Sequence, residues 1–184
     1  GGCIVTDDEE IVQKIRDARL LGVEKDTDKR YAGHRSWDFD TTAQGWRYHM
    51  SNIMAAIGLE QFKKLPTFTK KRQELARNYD YLFSNNSIIK PLLRDYNSVV
   101  PHIYVVRIKG MNNRKNIQNK MLKKGIEVGY HYKPNHWLGL YKDDHAIPLN
   151  ITKNVFPELM SLPLHPELTV NDLEYIVNEL YKIV

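Results

Sequence analysis

The sequence predicts an α/β protein whose second half is a small sandwich of strands and helices. Two observations support this fold class. From about residue 85 onward, apolar runs typical of strands alternate with segments of helical period that have their own start and stop signals. Before that point the chain contains one short apolar run, a long polar loop and a long helical arm, which cannot form a sheet among themselves. We therefore expect the second half to fold as a unit.

The composition is that of a globular protein, with 184 residues of which 42% are hydrophobic and 27% charged. The net charge of +5 comes from lysines and arginines scattered among acids, which favours a solvated surface over a nucleic-acid site. A single cysteine excludes an internal disulfide and a zinc site made of cysteines. No window approaches the roughly 20 apolar residues of a membrane span, and no secretory signal is visible, so we expect a cytoplasmic protein.

The first apolar run, Cys-Ile-Val-Thr at residues 3–6, predicts a short buried strand. Asp7 or Asp8 then caps a helix that ends near Gly22, and its apolar face carries Ile11, Val12 and Ile15. A lone strand cannot satisfy its backbone, so this one needs neighbours that the chain does not supply. The pattern therefore indicates a piece cut from a longer protein, with an intermolecular sheet as the alternative.

The next segment, residues 24–46, is polar and rich in aspartate and threonine, and it predicts a long loop. Loops of this length are usually functional or disordered, and its four large aromatic residues argue against disorder. Helical period returns at Met50. Pro66 is acceptable only in the first turn of a new helix, which we expect to run from about residue 68 to residue 83.

The second half begins its sheet with the run HIYVVRIKG, residues 102–110, a strand that a glycine ends. Asn112 or Asn113 then caps a helix that closes at Gly125. The remaining predicted elements are a strand at 126–132, a short turn or helix at 137–141, an extended segment at 159–166, and a last helix capped by Thr169 whose apolar face carries Leu173, Ile176, Val177, Leu180 and Val184.

A first cluster of candidate site residues, Arg47, Tyr48 and His49, lies just before a predicted helix N-terminus. Arginine is a fixed planar cation that suits a phosphate, and a helix N-terminus favours the same anion. The alternative is that Arg47 lies on an ordinary surface and that His49 packs against Trp46. Spacing alone favours this alternative.

A second cluster, GYHYKPNHW at residues 129–137, places His131, Tyr132 and His136 where a strand runs into a loop. No third ligand motif accompanies the two histidines, so a hydrogen-bonding role toward a hydroxylated substrate is favoured over a metal site. Ordinary aromatic packing is the equal alternative. A third candidate, His165, stands between two prolines, where rigid packing is favoured over a site.

Four motifs, taken in order, carry a resemblance to a known enzyme family. GGCIVTDDEE is similar to the end of the stretch that follows a cofactor lysine, and GWRYHMSNIMAAIGLEQF is similar to a Gly-x-Asn-Tyr-Arg-Met-Ser segment. KKGIEVGYHYKPNH and MSLPLHPELT are similar to a Gly-Ile…His-Tyr-x-Pro-x-His segment and a Leu-Pro-Leu-His-Pro-x-Leu-Thr ending. Together they resemble the C-terminal half of the pyridoxal-phosphate-dependent nucleotide-sugar aminotransferases, the DegT–DnrJ–StrS group, whose fold is that of aspartate aminotransferase (fold type I).

The resemblance implies that residues 1–84 are the edge of a large cofactor-binding domain with its helical arm, and that residues 85–184 are a small C-terminal domain. The Schiff-base lysine and most of the pyridoxal phosphate pocket would lie upstream, so this chain alone would hold no catalytic residue and would be inactive. Arg47 would bind the cofactor phosphate. The residues implied in substrate binding are Tyr48, His49, His131, Tyr132 and His136.

The sequence departs from the family pattern at two positions, because Arg47 stands where the family has asparagine and His49 where it has arginine. The resemblance further implies a nucleotide-linked keto sugar and an amino donor such as glutamate as substrates, and a homodimer with shared active sites. Two alternatives stay open. One is a sugar 3-dehydratase of the same family, in which histidine replaces the lysine, and the other is a non-catalytic relative that binds sugar nucleotides or regulatory partners.

Overall fold

The computed structural model describes residues 2–23, 33, 40, 41, 43–141 and 149–184. The chain divides into two compact units, Gly1–Lys63 and Lys64–Val184. Both helices and strands are present, as the sequence predicts. Within the described residues, no helix combines the length and the apolar character that crossing a membrane requires.

Two helices form the regular structure described in the N-terminal unit. The first, α1, runs from Glu9 to Ala18, because the side chain of Asp8 accepts hydrogen bonds from the first free backbone N–H groups. The second, α2, spans Asn52–Lys63, and the hydroxyl of Ser51 accepts a hydrogen bond from the backbone N–H of Met54. Of the two residues predicted to cap α1, Asp7 and Asp8, the structure therefore shows Asp8 as the cap.

The strand predicted at residues 3–6 does not form. These residues pair with no described strand, and the side chains of Ile4 and Val5 are 67% and 90% exposed. The physical reason is the one that the sequence already indicates, since an extended segment becomes a strand only when a neighbour accepts and donates its backbone hydrogen bonds. In the described part of this unit, β-type pairing between backbone segments is limited to two isolated bridges, Leu20–Arg47 and Val23–Thr41.

The C-terminal unit is built on a three-stranded antiparallel sheet. Its strands are β1 (Ile89–Pro91), β2 (Tyr104–Ile108) and β3 (Leu159–Leu162), in the order β1-β2-β3. Val106 at the centre of β2 lies opposite Pro91 on one side and Met160 on the other. Alternate residues of β2 are buried, which is the pattern of a strand with one face on a core.

The described residues of this unit also contain four helices: α3 (Leu65–Phe83), α4 (Arg114–Leu122), α5 (Asn150–Val155) and α6 (Val170–Ile183). Helix α3 contacts both α6 and β1, and α4 also contacts α6. The buried side chains come from the sheet, from α3, α4 and α6, and from their connections. Single turns of 3₁₀ helix lie at Asn135–Trp137, Gly139–Tyr141 and Phe156–Glu158.

Several predicted signals of this unit are confirmed. Pro66 stands in the first turn of α3, and the side chain of Asn113 caps α4. Thr169 caps α6 in a reciprocal capping box with Asp172. The predicted turn at 137–141 is the second 3₁₀ turn, which in the structure begins at Gly139.

Other predictions for this unit need correction. The strand predicted at 126–132 is reduced to one bridge between Gly129 and Ser161, because only that residue reaches the edge of β3. Strand β1 was missed, since three residues that include a proline give almost no periodicity. The division into domains 1–84 and 85–184 refers to a longer protein and stays a prediction; in this chain α3 belongs to the compact C-terminal unit.

Candidate functional site

The segment that contains Arg47 is fixed by its backbone to the end of α1. The N–H of Trp46 donates to the carbonyl of Ala18 at 2.6 Å, and the N–H of Tyr48 donates to the carbonyl of Arg19 at 2.9 Å. These two hydrogen bonds lie on either side of Arg47. The position of its Cα is therefore determined by α1, although its side chain is exposed.

Two glycines make this close approach possible. Gly22 has a φ of +76°, a conformation that ends the helical segment and that other residues adopt only with strain. A Cβ atom built on Gly45 would lie 1.9 Å from the backbone nitrogen of Gly22. Any larger residue at Gly45 would therefore push the Arg47 segment away from α1.

The three side chains of the first cluster, Arg47, Tyr48 and His49, are all exposed. The ring of Tyr48 is stacked on that of Trp46, with centroids 6.1 Å apart and planes at 10°. Trp46 thus packs on Tyr48 and not on His49. Among the described residues, the guanidinium of Arg47 makes neither a hydrogen bond nor an ion pair, so its charge is available to a ligand.

The C-terminal unit contains an open cavity of about 790 Å³. Four segments line it: residues 102–103 just before β2, residues 125–131, the end of β3 with residues 163–165, and Leu168 with the first turns of α6. His131 and His165, which the sequence placed in separate clusters, are brought together in this lining. His165 is exposed, so the packing role that the sequence favours for it is not what the structure shows.

His131 is held by a buried serine. Its Nδ1 lies 2.9 Å from the hydroxyl oxygen of Ser161, whose residue surface is only 4% exposed. Two backbone hydrogen bonds, of 2.8 and 3.1 Å, join Ser161 to Gly129 and fix the spacing between the two segments. In the described part of the chain, Nε2 of His131 has no hydrogen-bond partner. The ring therefore has one nitrogen in use and one available.

Two acidic residues, Glu127 and Asp172, line the cavity, and the carboxyl of Asp172 is already used by the fold. Asp172 accepts hydrogen bonds from the hydroxyl and the backbone N–H of Thr169, at 2.7 and 2.8 Å, and these bonds lower the pKa of its carboxyl. His165 nearby lowers that pKa further. Asp172 thus stays ionised as the acidic member of the capping box of α6.

Tyr130, which lines the cavity, belongs to an aromatic cluster around Arg114. The guanidinium lies 4.5 Å from the ring centroids of both Tyr130 and Phe156, and it also donates to the carbonyl of Phe156. Burial lowers the pKa of Arg114. Tyr130, which lines the cavity, is therefore fixed by packing and holds the chain just before His131.

The other two residues of the second cluster lie outside the cavity lining. Tyr132 is 78% exposed, with its ring 4.9 Å from that of His131. His136 has its ring 5.5 Å from Trp137. A regular strand would place Tyr130 and Tyr132 on one face, but the strand predicted at 126–132 is not formed.

Sequence reasoning missed Ser161, His102 and Tyr175 among the residues that line the cavity. A polar residue inside an otherwise apolar strand was the available signal for Ser161, since such residues are buried only with a partner. In the described part of the chain, no group of three or more histidine, cysteine, aspartate or glutamate side chains is arranged to hold a metal ion.

A protein-family model, that of the DegT/DnrJ/EryC1/StrS aminotransferase family, matches residues 1–181. The chain belongs to this family. The resemblance inferred from the four motifs is thereby confirmed, and the match extends over almost the whole chain.

The chain is 30% identical over 188 residues to a transaminase of Campylobacter jejuni serotype O:2. That relative is named UDP-4-amino-4,6-dideoxy-N-acetyl-beta-L-altrosamine transaminase. The match covers 100% of this chain and 48% of the relative. An uncharacterized protein of Methanocaldococcus jannaschii is 32% identical, with 100% and 50% covered. The chain thus spans about half the length of the curated relatives that it matches.

Among solved structures, PseC of Helicobacter pylori, an aminotransferase of pseudaminic acid biosynthesis, superposes with a TM-score of 0.83 and 28% identity. The superposition covers 97% of this chain and 47% of PseC. These similarities confirm the coarse fold class, that of the fold-type I sugar aminotransferases. The finer division into large-domain edge, helical arm and small sandwich stays a prediction.

Proposed function

We propose that this chain is the C-terminal half of a pyridoxal-phosphate-dependent aminotransferase that acts on a nucleotide-linked keto sugar. The observation that carries the proposal is the family match over residues 1–181, combined with coverage of only half of each relative. The Campylobacter relative is named as a transaminase of a UDP-linked amino sugar, which supports the substrate class. The amino donor in this proposal is a small amino acid such as glutamate.

The described residues fit one contact to the cofactor. Arg47 is exposed, unpaired among the described residues and fixed through its neighbours' backbone, so a phosphate can bind it without breaking an existing ion pair. When bound, pyridoxal phosphate supplies the electron sink for amino transfer. In this proposal the lysine that holds the cofactor belongs to a preceding segment, and this chain contributes Arg47.

The residues proposed to face the substrate are His131, Tyr132 and His136 in the C-terminal unit, and Tyr48 and His49 in the N-terminal unit. His131 has the strongest support, because its Nε2 has no partner among the described residues and it lines the 790 Å³ cavity. Its role is to orient the sugar by a hydrogen bond. The exposed side chains Tyr48, His49 and Tyr132 are available for the same ligand or for a second subunit of a homodimer that shares its active sites.

The test is an amino-transfer assay with a UDP-linked 4-keto sugar and glutamate, on the longer protein and on the 184-residue chain alone. We expect transfer by the longer protein and none by the chain alone, since the cofactor lysine would be missing. Loss of a sugar hydroxyl without amino transfer would instead identify the 3-dehydratase alternative. Sugar-nucleotide binding without either reaction would identify the non-catalytic one.

The role of His131 is tested by His131→Ala in the longer protein. Removal of one hydrogen bond to the sugar should cost about 1–2 kcal/mol, which corresponds to a KM for the sugar roughly 5- to 30-fold higher. Cofactor loading and the melting temperature serve as controls and should stay unchanged. A destabilised protein with an unaltered KM would show that His131 is a packing residue.

A further inference from the structure

The contact between Ser161 and His131 joins a buried hydroxyl to a ring that lines the cavity. We propose that Ser161 is a positioning residue, which holds His131 in the tautomer with its proton on Nε2 and so makes His131 a hydrogen-bond donor toward the cavity. The inference deepens the proposed function, because the acceptor would be an oxygen of the sugar nucleotide.

The direction of the Ser161–His131 hydrogen bond follows from the proton inventory. The hydroxyl of Ser161 carries one proton, and in the described part of the chain Nδ1 of His131 is its only hydrogen-bond partner. If Nδ1 carried a proton as well, the hydroxyl would accept that bond and its own proton would be buried without an acceptor. Leaving such a group unpaired disfavours the arrangement by roughly 5- to 150-fold. Ser161 therefore donates, Nδ1 accepts, and the ring proton resides on Nε2.

The positions of Ser161 and His131 are fixed by the surrounding structure. Ser161 is the third residue of β3 and is 4% exposed, so water does not readily replace Nδ1 as its partner. The two backbone bonds between Ser161 and Gly129 fix the distance from β3 to the segment that carries His131. Tyr130, between Gly129 and His131, is packed against Phe156 and Arg114. The ring of His131 is thus held from both its backbone and its Nδ1.

The tautomer determines which ligand atoms the cavity accepts at this position. A ring with its proton on Nε2 donates and cannot accept there, so it selects oxygen atoms with free lone pairs and disfavours N–H or ammonium groups. A sugar carbonyl or hydroxyl oxygen and a diphosphate oxygen both qualify. The sugar oxygen is neutral and the diphosphate oxygen is charged, so a probe that carries only the diphosphate and one that carries both groups can distinguish them.

The test measures the tautomer of His131 by ¹⁵N NMR of the histidine-labelled 184-residue chain at about pH 8.5, where an ordinary imidazole is neutral. The spectrum of His131→Asn identifies the signals of His131. We expect a single tautomer with the proton on Nε2 in the wild type and a mixture in Ser161→Ala, because the roughly 5- to 150-fold preference is lost. The matched control is Ser98→Ala, which removes a hydroxyl whose bond lies within an exposed turn, and it should leave the His131 signals unchanged.

A proton on Nδ1 in the wild type, or an identical single tautomer in Ser161→Ala, would overturn the inference. The tautomer is read without any ligand, so its outcome is independent of the proposed function. UDP and UDP-N-acetylglucosamine are then added as probes. A shift of the Nε2 signal with UDP alone indicates a diphosphate contact, a shift only with the sugar nucleotide indicates a sugar contact, and no shift with either counts against the substrate role of His131.

Discussion

The two compact units differ in how they use their hydrophobic residues. In the C-terminal unit, side chains from Leu75 to Leu180 form one buried core. Among the described residues of the N-terminal unit, no hydrophobic side chain is buried. Helix α2 is the clearest case, since it exposes large apolar side chains around its circumference: Ile53, Met54, Ile57, Leu59 and Phe62. A helix of this kind is normally enclosed by other elements.

This difference indicates that the C-terminal unit carries most of the stabilising core, whereas candidate site residues lie in both units. The C-terminal unit has its own core, and its candidate site is supported from within by Ser161 and Arg114. The N-terminal unit presents Arg47 on a segment that is fixed only by its backbone. We expect the site around His131 to be formed in this chain as it stands. The site around Arg47 would be completed only when further elements cover α2, as in a protein of twice this length.

The largest effect is expected from dividing the chain at the boundary between the units. Residues 64–184 alone should unfold in one cooperative transition, with a melting temperature close to that of the whole chain, because the buried core lies entirely within them. Residues 1–63 alone should show no cooperative transition. Circular dichroism during heating measures both. A cooperative transition in residues 1–63, or loss of folding in residues 64–184, would contradict the comparison.

A matched pair of alanine substitutions sharpens the comparison within the intact chain. Leu180 is fully buried, so Leu180→Ala should lower the free energy of unfolding by about 2–5 kcal/mol. Ile57 is 53% exposed, and Ile57→Ala should change that free energy by less than about 0.5 kcal/mol. Urea denaturation with a common slope gives both values. In the longer protein Ile57→Ala should become costly, and an equally small effect there would show that α2 stays uncovered.

The fold was predictable where a single residue carries the signal. The caps Asp8, Asn113 and Thr169 and the proline in the first turn of α3 were readable, because each satisfies or spares a backbone N–H in a way that the sequence itself displays. Strand pairing was less accessible. The apolar residues at 126–132 have a strand-like pattern, but whether they pair depends on β3, which lies about 30 residues away along the chain.

The candidate site was predictable only in part, for the same reason. His131 and Arg47 were found from their neighbours in sequence and from the family motifs. The partner of His131, Ser161, is contributed by a different element, so no local spacing connects the two residues. His165 shows the opposite error. Its flanking prolines suggested packing, whereas the end of β3 presents it to the cavity.

The smallest predicted effect concerns pH and a carboxyl group of the C-terminal unit. Asp80 accepts a hydrogen bond of 2.7 Å from the hydroxyl of Tyr104. Burial raises the pKa of Asp80 more than Tyr104 and Tyr96 lower it. Burial and the neighbouring Asp80 raise the pKa of Tyr96 to about 12, so that this tyrosine keeps its proton at neutral pH.

A carboxyl whose pKa is higher in the folded than in the unfolded state binds its proton more tightly when folded. As pH rises from the unfolded value, about 3.9, through the folded one, the contribution of Asp80 to stability is therefore lost. Asp80→Asn removes this dependence. The free energy of unfolding of the variant relative to the wild type should accordingly increase as the pH rises above the unfolded pKa of about 3.9. The carboxyls of Glu158 and Asp172, whose pKa values are lowered, act in the opposite direction but are present in both proteins and cancel.

Urea denaturation at several pH values measures the difference, in the whole chain and in residues 64–184. The comparison of the two units requires the same slope in both, and a flat or decreasing difference would show that Asp80 is not the group responsible.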